Sequence, residues 1–129
     1  MRLLLDTNAW LFLAVGSDRL SPEAKRQVTD PSCELFLSTC SLWEFMVLHR
    51  KGRFSVDRPP VHWAQASISA LGVKLLSIDA DIAFQSELLQ DFHGDPADRF
   101  VVATGIVHGV PLVTSDAKIH AWKGIPVVW

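Results

Sequence analysis

The sequence predicts an α/β protein, a twisted parallel sheet with helices on both faces, and three observations lead to this prediction. Short apolar runs rich in leucine and valine alternate along the chain with longer segments of helical character. Helix boundaries are marked by capping residues, such as Ser21 before Pro22 and the glycines Gly72 and Gly109. No internal repeat or low-complexity segment interrupts the alternation. Strands that alternate with helices favour parallel pairing, in which ligands bind beyond the carboxyl ends of the strands.

The expected elements follow in order along the chain. Strands are expected at residues 3–5, 34–39, 73–78, 111–114 and 126–128, where short apolar runs are bounded by turn residues. Helices are expected at residues 9–15, 22–29, 59–71, 81–90, 96–108 and 117–122. A further helix, capped by Thr39 or Ser41, is expected to end near His49, and Asp95 is the expected N-cap of the helix at 96–108. We expect an exposed loop at residues 53–58.

Length and composition limit the class of protein. A chain of 129 residues, 49% of them hydrophobic and 20% charged, has enough apolar material for one core and too much for a disordered chain. The N-terminal apolar run is stopped by Asp6 without a signal-peptide cleavage site, and no apolar run reaches the roughly 18 residues of a membrane helix. Cys33 and Cys40 form no disulfide framework and are expected to be buried thiols. We therefore expect a cytoplasmic protein with no membrane association.

Two aspartates directly follow predicted strands. Asp6 comes after the first apolar run, and Asp116 comes two residues after the strand at 111–114. Because the carboxyl ends of parallel strands open into one crevice, these carboxylates are expected to lie in the same region. Each of them taken alone is better explained as a helix cap, so the prediction depends on the acids as a group.

Two further acids are expected to join this crevice. Glu44 lies in a helix whose neighbouring residues are almost all apolar, and the positions three and four residues later, Val47 and Leu48, offer it no partner. A carboxylate buried in this way must be paired, protonated or metal-bound. Asp98 is the third residue of the helix capped by Asp95, where the helix dipole favours a carboxylate in any protein. This explanation is weaker for Asp98 once the other three acids are expected in the same crevice.

A cluster of carboxylates has a limited choice of partners. Like charges repel, so the cluster is stable only when its members share protons or bind a hard cation. Mg²⁺ suits such an all-oxygen site, with Mn²⁺ as a substitute. Zinc is disfavoured because the five histidines are scattered without the spacing of a ligand pair, although His93 is expected near the site.

Four features occur in order along the chain: Leu5-Asp6-Thr7-Asn8, the isolated Glu44, the segment 93–100 that reads HGDPADRF, and the segment 112–116 that reads LVTSD. In this order they resemble the PIN domain, and particularly the VapC-type toxins of bacterial toxin–antitoxin pairs. The resemblance covers the whole chain, so that residues 1–129 are expected to form one PIN domain with a three-layer PIN-like fold. It implies the toxin component of a type II toxin–antitoxin system, a magnesium-dependent endoribonuclease that hydrolyses RNA phosphodiester bonds, and a cognate antitoxin.

The resemblance also assigns residues. Asp6, Glu44, Asp98 and Asp116 match the family's acidic quartet, which is both catalytic and metal-binding, while Asn8 and Thr114 match neighbouring polar positions that orient ligands by hydrogen bonding. Bound magnesium supplies what phosphodiester hydrolysis needs at the phosphate and at the attacking water. We expect Asp6 and Asp98 to be the principal ligands, with Glu44 and Asp116 binding through water or holding a second ion. One of the acids can also act as a base, and the sequence allows either one or two ions.

Charge and aromatic residues bear on the partners. The net charge is −2, but if the four acids lie in a metal-filled pocket, the remaining residues carry 12 basic side chains against 10 acidic ones. The one dense basic run, residues 49–53 with Arg58 close behind, either contacts RNA phosphates or is a solvated helix end. Trp10, Trp43 and Trp63 are expected in the core or at a dimer interface rather than stacked on bases. Because the apolar helices exceed what a core of this size requires, we expect a homodimer.

Two other classes of α/β protein remain as alternatives. A receiver-like signalling module requires a pair of adjacent acids after the first strand and a late lysine, whereas Asp6 is followed by Thr7 and Asn8 and the last strand is followed by no lysine. A phosphatase with an aspartyl nucleophile requires Asp-x-Asp at the same place. Phosphorylation by acetyl phosphate would favour either alternative.

Overall fold

The computed structural model describes residues 1–129 and contains one five-stranded sheet with the strand order β3-β2-β1-β4-β5. The strands are β1 (Arg2–Leu5), β2 (Glu34–Ser38), β3 (Lys74–Leu76), β4 (Leu112–Val113) and β5 (Val127–Val128). The helices are α1 (Thr7–Val15), α2 (Pro22–Val28), α3 (Thr39–Arg50), α4 (Pro60–Leu71), α5 (Ala80–Leu88), α6 (Pro96–His108) and α7 (Ala117–Trp122). Every pair of neighbouring strands is parallel, which confirms the predicted fold class.

The central strand β1 is apolar on both sides because both faces of the sheet are covered. Leu3 and Leu5 point to one face and pack in a core cluster with residues of α1 to α4. Leu4 points to the other face and packs in a second cluster with residues of α6 and α7. All three leucines are fully buried. This two-sided burial explains why the strand reads as a continuous apolar run rather than an alternating one.

Aromatic rings hold α1, α3 and α4 together on the first face. The Trp10 ring meets the Phe45 ring edge-on at a centroid distance of 5.6 Å, and Phe45 stacks on Trp63 at 5.1 Å. The indole Nε1 of Trp10 donates a hydrogen bond of 2.8 Å to the hydroxyl of Ser67, so burial leaves no polar atom of this ring unpaired. Trp10 and Trp63 are therefore core residues, as predicted. Trp43 is 59% exposed.

Several element boundaries differ from the sequence expectation because polar residues cap helices at the end of a strand or shortly after it. Helix α1 begins at Thr7 rather than at residue 9, since Asp6 is its N-cap. Helix α3 is capped by Ser38, and not by Thr39 or Ser41. Helix α5 begins at Ala80 after the cap Asp79, rather than at residue 81. Strands β3, β4 and β5 are shorter than expected. Strand β3 pairs with β2 over three residues, and β4 pairs with β1 and with β5 over only two residues each.

Two expectations about burial were also wrong in part. Cys33 is only half-buried, whereas Cys40 is buried as expected, and both are free thiols. The loop at residues 53–58 is not wholly exposed, since Phe54 and Val56 pack against the first core cluster while the polar residues of the loop face solvent. The loop therefore alternates in the manner of a strand without pairing as one. No helix is both long enough and apolar enough to cross a membrane.

Candidate metal centre

A polar pocket of about 220 Å³ opens at the carboxyl edge of the sheet, beyond β1 and β4. It is lined by eight residues from four parts of the chain: Asp6, Thr7, Asn8, Glu44, Asp98, Val101, Ser115 and Asp116. The structure thus brings together the four acids singled out in the sequence, with Asn8 exposed at the rim. Thr114 does not line the pocket but lies directly beside it.

Asp6 is fixed by hydrogen bonds to both of its carboxylate oxygens. Oδ1 accepts a bond of 2.7 Å from the backbone N–H of Ala9, and Oδ2 accepts a short hydrogen bond from the hydroxyl of Thr114. The pKa of Asp6 is raised to about 6, mainly by burial and to a smaller extent by the charges of Glu44 and Asp116, although the two hydrogen bonds lower it in part. The ionised form is therefore held in a place where solvation and neighbours both disfavour it. A cation would reverse that balance.

Thr114 links two of the acids through one hydroxyl group. Its Oγ1 donates to Asp6 and accepts the backbone N–H of Asp116 at 3.1 Å. The carbonyl of Thr114 lies 2.6 Å from Nε2 of His120, a contact that sequence reasoning missed. Asp116 uses Oδ1 to cap α7, accepting the N–H groups of residues 118 and 119, which leaves its other oxygen for the pocket.

Asp98 has the most strongly raised pKa in the pocket. Burial, and then the charges of Asp95, Asp116, Glu44 and Asp6 in that order, together raise the pKa of this carboxyl to about 7. The residue lies in the first turn of α6, where Asp95 accepts the N–H groups of residues 97 and 98 as the predicted cap. Its Oδ2 lies 3.2 Å from Nε2 of His93, which agrees with the expectation that this histidine is near the site.

Glu44 reaches the pocket from α3, but not for the reason expected. The sequence suggested a helix without an outer face and hence a buried carboxylate, whereas Glu44 is half-buried and α3 exposes Trp43 and Met46. The helix therefore has an exposed apolar face, and Glu44, which is next to Trp43 in the sequence, lines the pocket. The charge of Glu44 also affects the nearby thiol of Cys40, whose pKa is raised to about 11 mainly by burial and then by this carboxylate and other acids.

One polar contact that supports the pocket was not foreseen. The hydroxyl of Thr7 donates a buried hydrogen bond of 2.9 Å to the hydroxyl of Ser41, which joins α1 to α3 beneath Asp6 and Glu44. Ser41 precedes Glu44 by three residues and so lies on the same side of α3. That spacing was the available signal in the sequence, but a serine in a helix start reads first as a cap.

The guanidinium of Arg99 organises the loop that leads into α6. Its three nitrogens donate to four backbone carbonyls, those of residues 86, 89, 92 and 93, at distances of 3.0 to 3.3 Å. Although Arg99 is adjacent to Asp98 in sequence, its side chain is thus used inside the protein rather than in the pocket. The sequence pattern indicates this arginine only as part of the segment 93–100.

The donor set fits a hard divalent cation that retains water. All the charged side chains in the pocket are carboxylates, and Asn8 adds an amide. No group of three His, Cys, Asp or Glu side chains is close enough to ligate one ion directly. Mg²⁺ usually keeps several waters and is bound through one or two carboxylates, so the arrangement suits magnesium or manganese and not a metal that needs a closed protein cage.

The fold and the pocket together define an α/β domain with an acidic, all-oxygen site at the carboxyl edge of its sheet. The family model described as the PIN domain matches residues 3–124. The chain therefore belongs to the PIN-domain family. This membership excludes the receiver-like module and the aspartyl-nucleophile phosphatase that the sequence had left as alternatives.

Individual relatives agree with the family. Ribonuclease VapC22 of Mycobacterium tuberculosis (strain ATCC 25618 / H37Rv) is 32% identical over 122 residues, which cover 94% of this chain and 92% of that relative. A toxin–antitoxin complex from Klebsiella pneumoniae contains a chain with 29% identity and a TM-score of 0.63, covering 98% of this chain and 96% of that one. The crystal structure of VapBC2 from Rickettsia felis, bound to a promoter DNA fragment, has a TM-score of 0.71 at 12% identity over 98% of this chain and 97% of that one, a likeness of fold alone.

Proposed function

We propose that this protein is a metal-dependent endoribonuclease, the toxin component of a type II toxin–antitoxin system. The observation that carries the proposal is the convergence of four carboxylates in one pocket of a chain that belongs to the PIN-domain family. The name of the 32% identical relative, Ribonuclease VapC22, supports RNA as the substrate. The proposal treats residues 1–129 as one PIN domain acting in the cytoplasm.

The side chains have distinct tasks in this proposal. Asp6 and Asp98 are the principal ligands of Mg²⁺ or Mn²⁺, and Glu44 and Asp116 bind through water or hold a second ion. When bound, the metal neutralises charge on the phosphate and helps to generate the attacking water. The hydrogen bond from Thr114 fixes the orientation of Asp6, and the capping bonds of Asp116 restrict its rotation. Asn8 is a polar group at the rim that can orient the substrate or a water.

The purified protein is expected to cleave RNA with magnesium or manganese and to be inactive in EDTA, because the donor set suits only a hard cation. Asp6→Asn should reduce cleavage by about 100-fold or more, since it removes a principal ligand. Asp18→Asn is the matched control, because Asp18 is exposed and lies outside the pocket. Gel analysis of a labelled RNA measures each rate. Cleavage that survives thorough chelation, or an Asp6→Asn variant as active as the control, would refute the proposal.

A cognate antitoxin is part of the proposed function. The structural neighbours include toxin–antitoxin complexes, one of them at 29% identity over nearly the whole chain. We propose that a segment of the antitoxin lies across the acidic crevice, where basic side chains would complement the carboxylates. Added to the cleavage assay, the product of an adjacent small gene should suppress RNA hydrolysis. An adjacent product that binds without inhibiting would contradict this position of the partner.

A homodimer is also proposed, and the exposed apolar residues support it. Phe84 and Leu88 of α5 are 70% and 66% exposed. Because they are four residues apart, they lie on the same face of the helix and form one apolar patch. Trp43 and Ile78 line an apolar groove with Phe100. Patches of this kind on a soluble chain indicate protein interfaces.

The substitution Phe84→Glu is expected to convert the dimer to a monomer, because it buries an unpaired charge in the interface. Light scattering at several concentrations measures the change in mass. Val61→Glu, on the exposed side of α4, should leave the dimer intact. A parent protein that is monomeric at high concentration would contradict the homodimer.

A further inference from the structure

The acidic pocket is bordered by an imidazole that the proposed mechanism does not use. Nε2 of His93 lies 3.2 Å from Oδ2 of Asp98, with only 21% of the histidine side chain exposed. The contact is short enough for a hydrogen bond but poorly aligned, and this buried nitrogen has no other partner. Buried polar atoms are normally paired, so an exception needs an explanation. Hydrogen bonds in active sites are often poorly aligned until the site is loaded.

The other ring nitrogen determines which atom of His93 carries the proton. The backbone N–H of Asp95 donates to Nδ1 at 3.4 Å, so Nδ1 is an acceptor. The neutral ring therefore has its proton on Nε2, the atom that faces Asp98. The ring is also packed against Phe92, at a centroid distance of 4.4 Å, which limits its rotation. His93 thus places an Nε2–H donor 3.2 Å from the Asp98 carboxylate.

The backbone that carries His93 is held independently of the pocket. Arg99 donates to the carbonyls of His93 and Phe92 at 3.1 and 3.0 Å, and to the carbonyl of Ser86 at 3.0 Å. One guanidinium thereby joins the end of α5 and the loop after it to the first turn of α6, the turn that contains Asp98. The planar guanidinium of Arg99 therefore helps to set the distance between the His93 ring and the Asp98 carboxylate.

We propose that His93 is a positioning residue, which directs the carboxylate of Asp98 towards the metal by a hydrogen bond from Nε2. Arg99 keeps His93 in place for this task. The inference rests on the proposed function, because it assumes that Asp98 ligates a divalent cation. A donor of this kind fixes the orientation of a ligating carboxylate, and loss of such a partner typically weakens metal binding by 10 to 100-fold.

The test measures Mn²⁺ affinity by electron paramagnetic resonance, without RNA and without turnover. His93→Phe retains an aromatic ring against Phe92 but has no donor, so Mn²⁺ should bind about tenfold more weakly or worse. His93→Gln supplies an amide donor and should recover a substantial part of the affinity. His62→Phe is the matched control, because His62 is exposed on α4 and does not line the pocket. Unchanged affinity in His93→Phe, or equal losses in His93→Phe and His93→Gln, would overturn the inference.

Thermal melting of the metal-free protein tests independently whether His93 and Asp98 interact. If His93 acts through Asp98, the shifts in Tm caused by His93→Phe and by Asp98→Ala should not add in the double variant, since neighbours that interact are non-additive. Additive shifts would overturn the inference even if the single variants are destabilised. A parent protein that binds no Mn²⁺ would refute the proposed function instead, and the melting cycle would still decide whether the two side chains are coupled.

Discussion

Asp98→Asn is expected to abolish magnesium-dependent RNA cleavage, with a loss of about 100-fold or more, and also to raise the Tm of the metal-free protein. The loss of activity follows from the removal of a principal ligand in the proposed site. The gain in stability follows from the charges around this residue. Its pKa is raised from 3.8 to about 7 by burial and by four neighbouring acids, so the ionised carboxylate destabilises the fold.

The direction of the stability change depends on two opposing effects. Asn removes the favourable interaction of a carboxylate with the N-terminus of α6, which is worth a few tenths to about 1 kcal/mol. It also removes the desolvation and repulsion that raise the pKa of Asp98 to about 7, and a change of this size corresponds to a larger free energy even after solvent screening. At pH 8 we expect a net gain of about 1 kcal/mol, or roughly 4 °C in Tm for a domain of this size.

Thermal melts in EDTA and in magnesium, together with the RNA cleavage assay, measure this prediction. Asp81→Asn is the matched control, because Asp81 is an exposed acid in the first turn of α5. It should lower Tm slightly through the helix dipole and leave cleavage unchanged. An Asp98→Asn variant that is less stable in EDTA, keeps its stabilisation by magnesium and still cleaves RNA would remove Asp98 from the site.

The fold was predictable because the strongest signals are local. The alternation of strands and helices, and caps such as Asp95 and Gly109, follow from short-range backbone and side-chain chemistry. The errors came where one residue could serve two elements. Ser38 ends β2 and caps α3, and Asp6 directly follows β1 and caps α1, so each helix starts earlier than its apolar pattern suggests. Sequence periodicity alone does not distinguish such a junction from a short loop.

The acidic pocket was predictable from topology, but its supporting contacts were not. Parallel strands bring Asp6 and Asp116 to one edge, and this follows from the fold class. The bond between Thr7 and Ser41 and the contact between His93 and Asp98 depend instead on helix orientation in space, which sequence spacing does not specify. The four-carbonyl contact of Arg99 is the clearest example, since its position next to Asp98 in the sequence does not indicate that its side chain is used inside the protein.

The metal-free protein is expected to lose stability as the pH rises from about 4 to about 7, and saturating magnesium should reverse the loss. In the folded state the pKa of Asp6 is raised to about 6 and that of Asp98 to about 7, whereas both are near 3.8 when the chain is unfolded. Between these values the folded state binds more protons than the unfolded state. By linkage, the free energy of unfolding therefore falls with increasing pH across this window and levels off above it.

Other acids do not produce this pattern. Hydrogen bonds to Arg26, Ser32 and Lys74 lower the pKa values of the exposed acids Glu23, Asp30 and Glu34. Any stability that these acids contribute therefore increases with pH and has reached its full value by about pH 5. The interval from pH 5 to 7 thus reports the two carboxylates of the pocket whose pKa values are raised, Asp6 and Asp98. Magnesium at about 100 times its Kd should add about 2.7 kcal/mol to the folded state at the upper end of this interval.

Tm measured in EDTA at intervals from pH 4 to 8 tests the prediction, with a second series in magnesium. Asp98→Asn should remove the fall between pH 6 and 7 and retain the part due to Asp6, while the double variant with Asp6→Asn should be nearly flat from pH 5 to 7. Asp81→Asn should behave like the parent, because it lies outside the pocket. A parent Tm that is constant or rises from pH 5 to 7 in EDTA would mean that these carboxylates do not oppose folding, and the electrostatic argument for a cation in this pocket would fail.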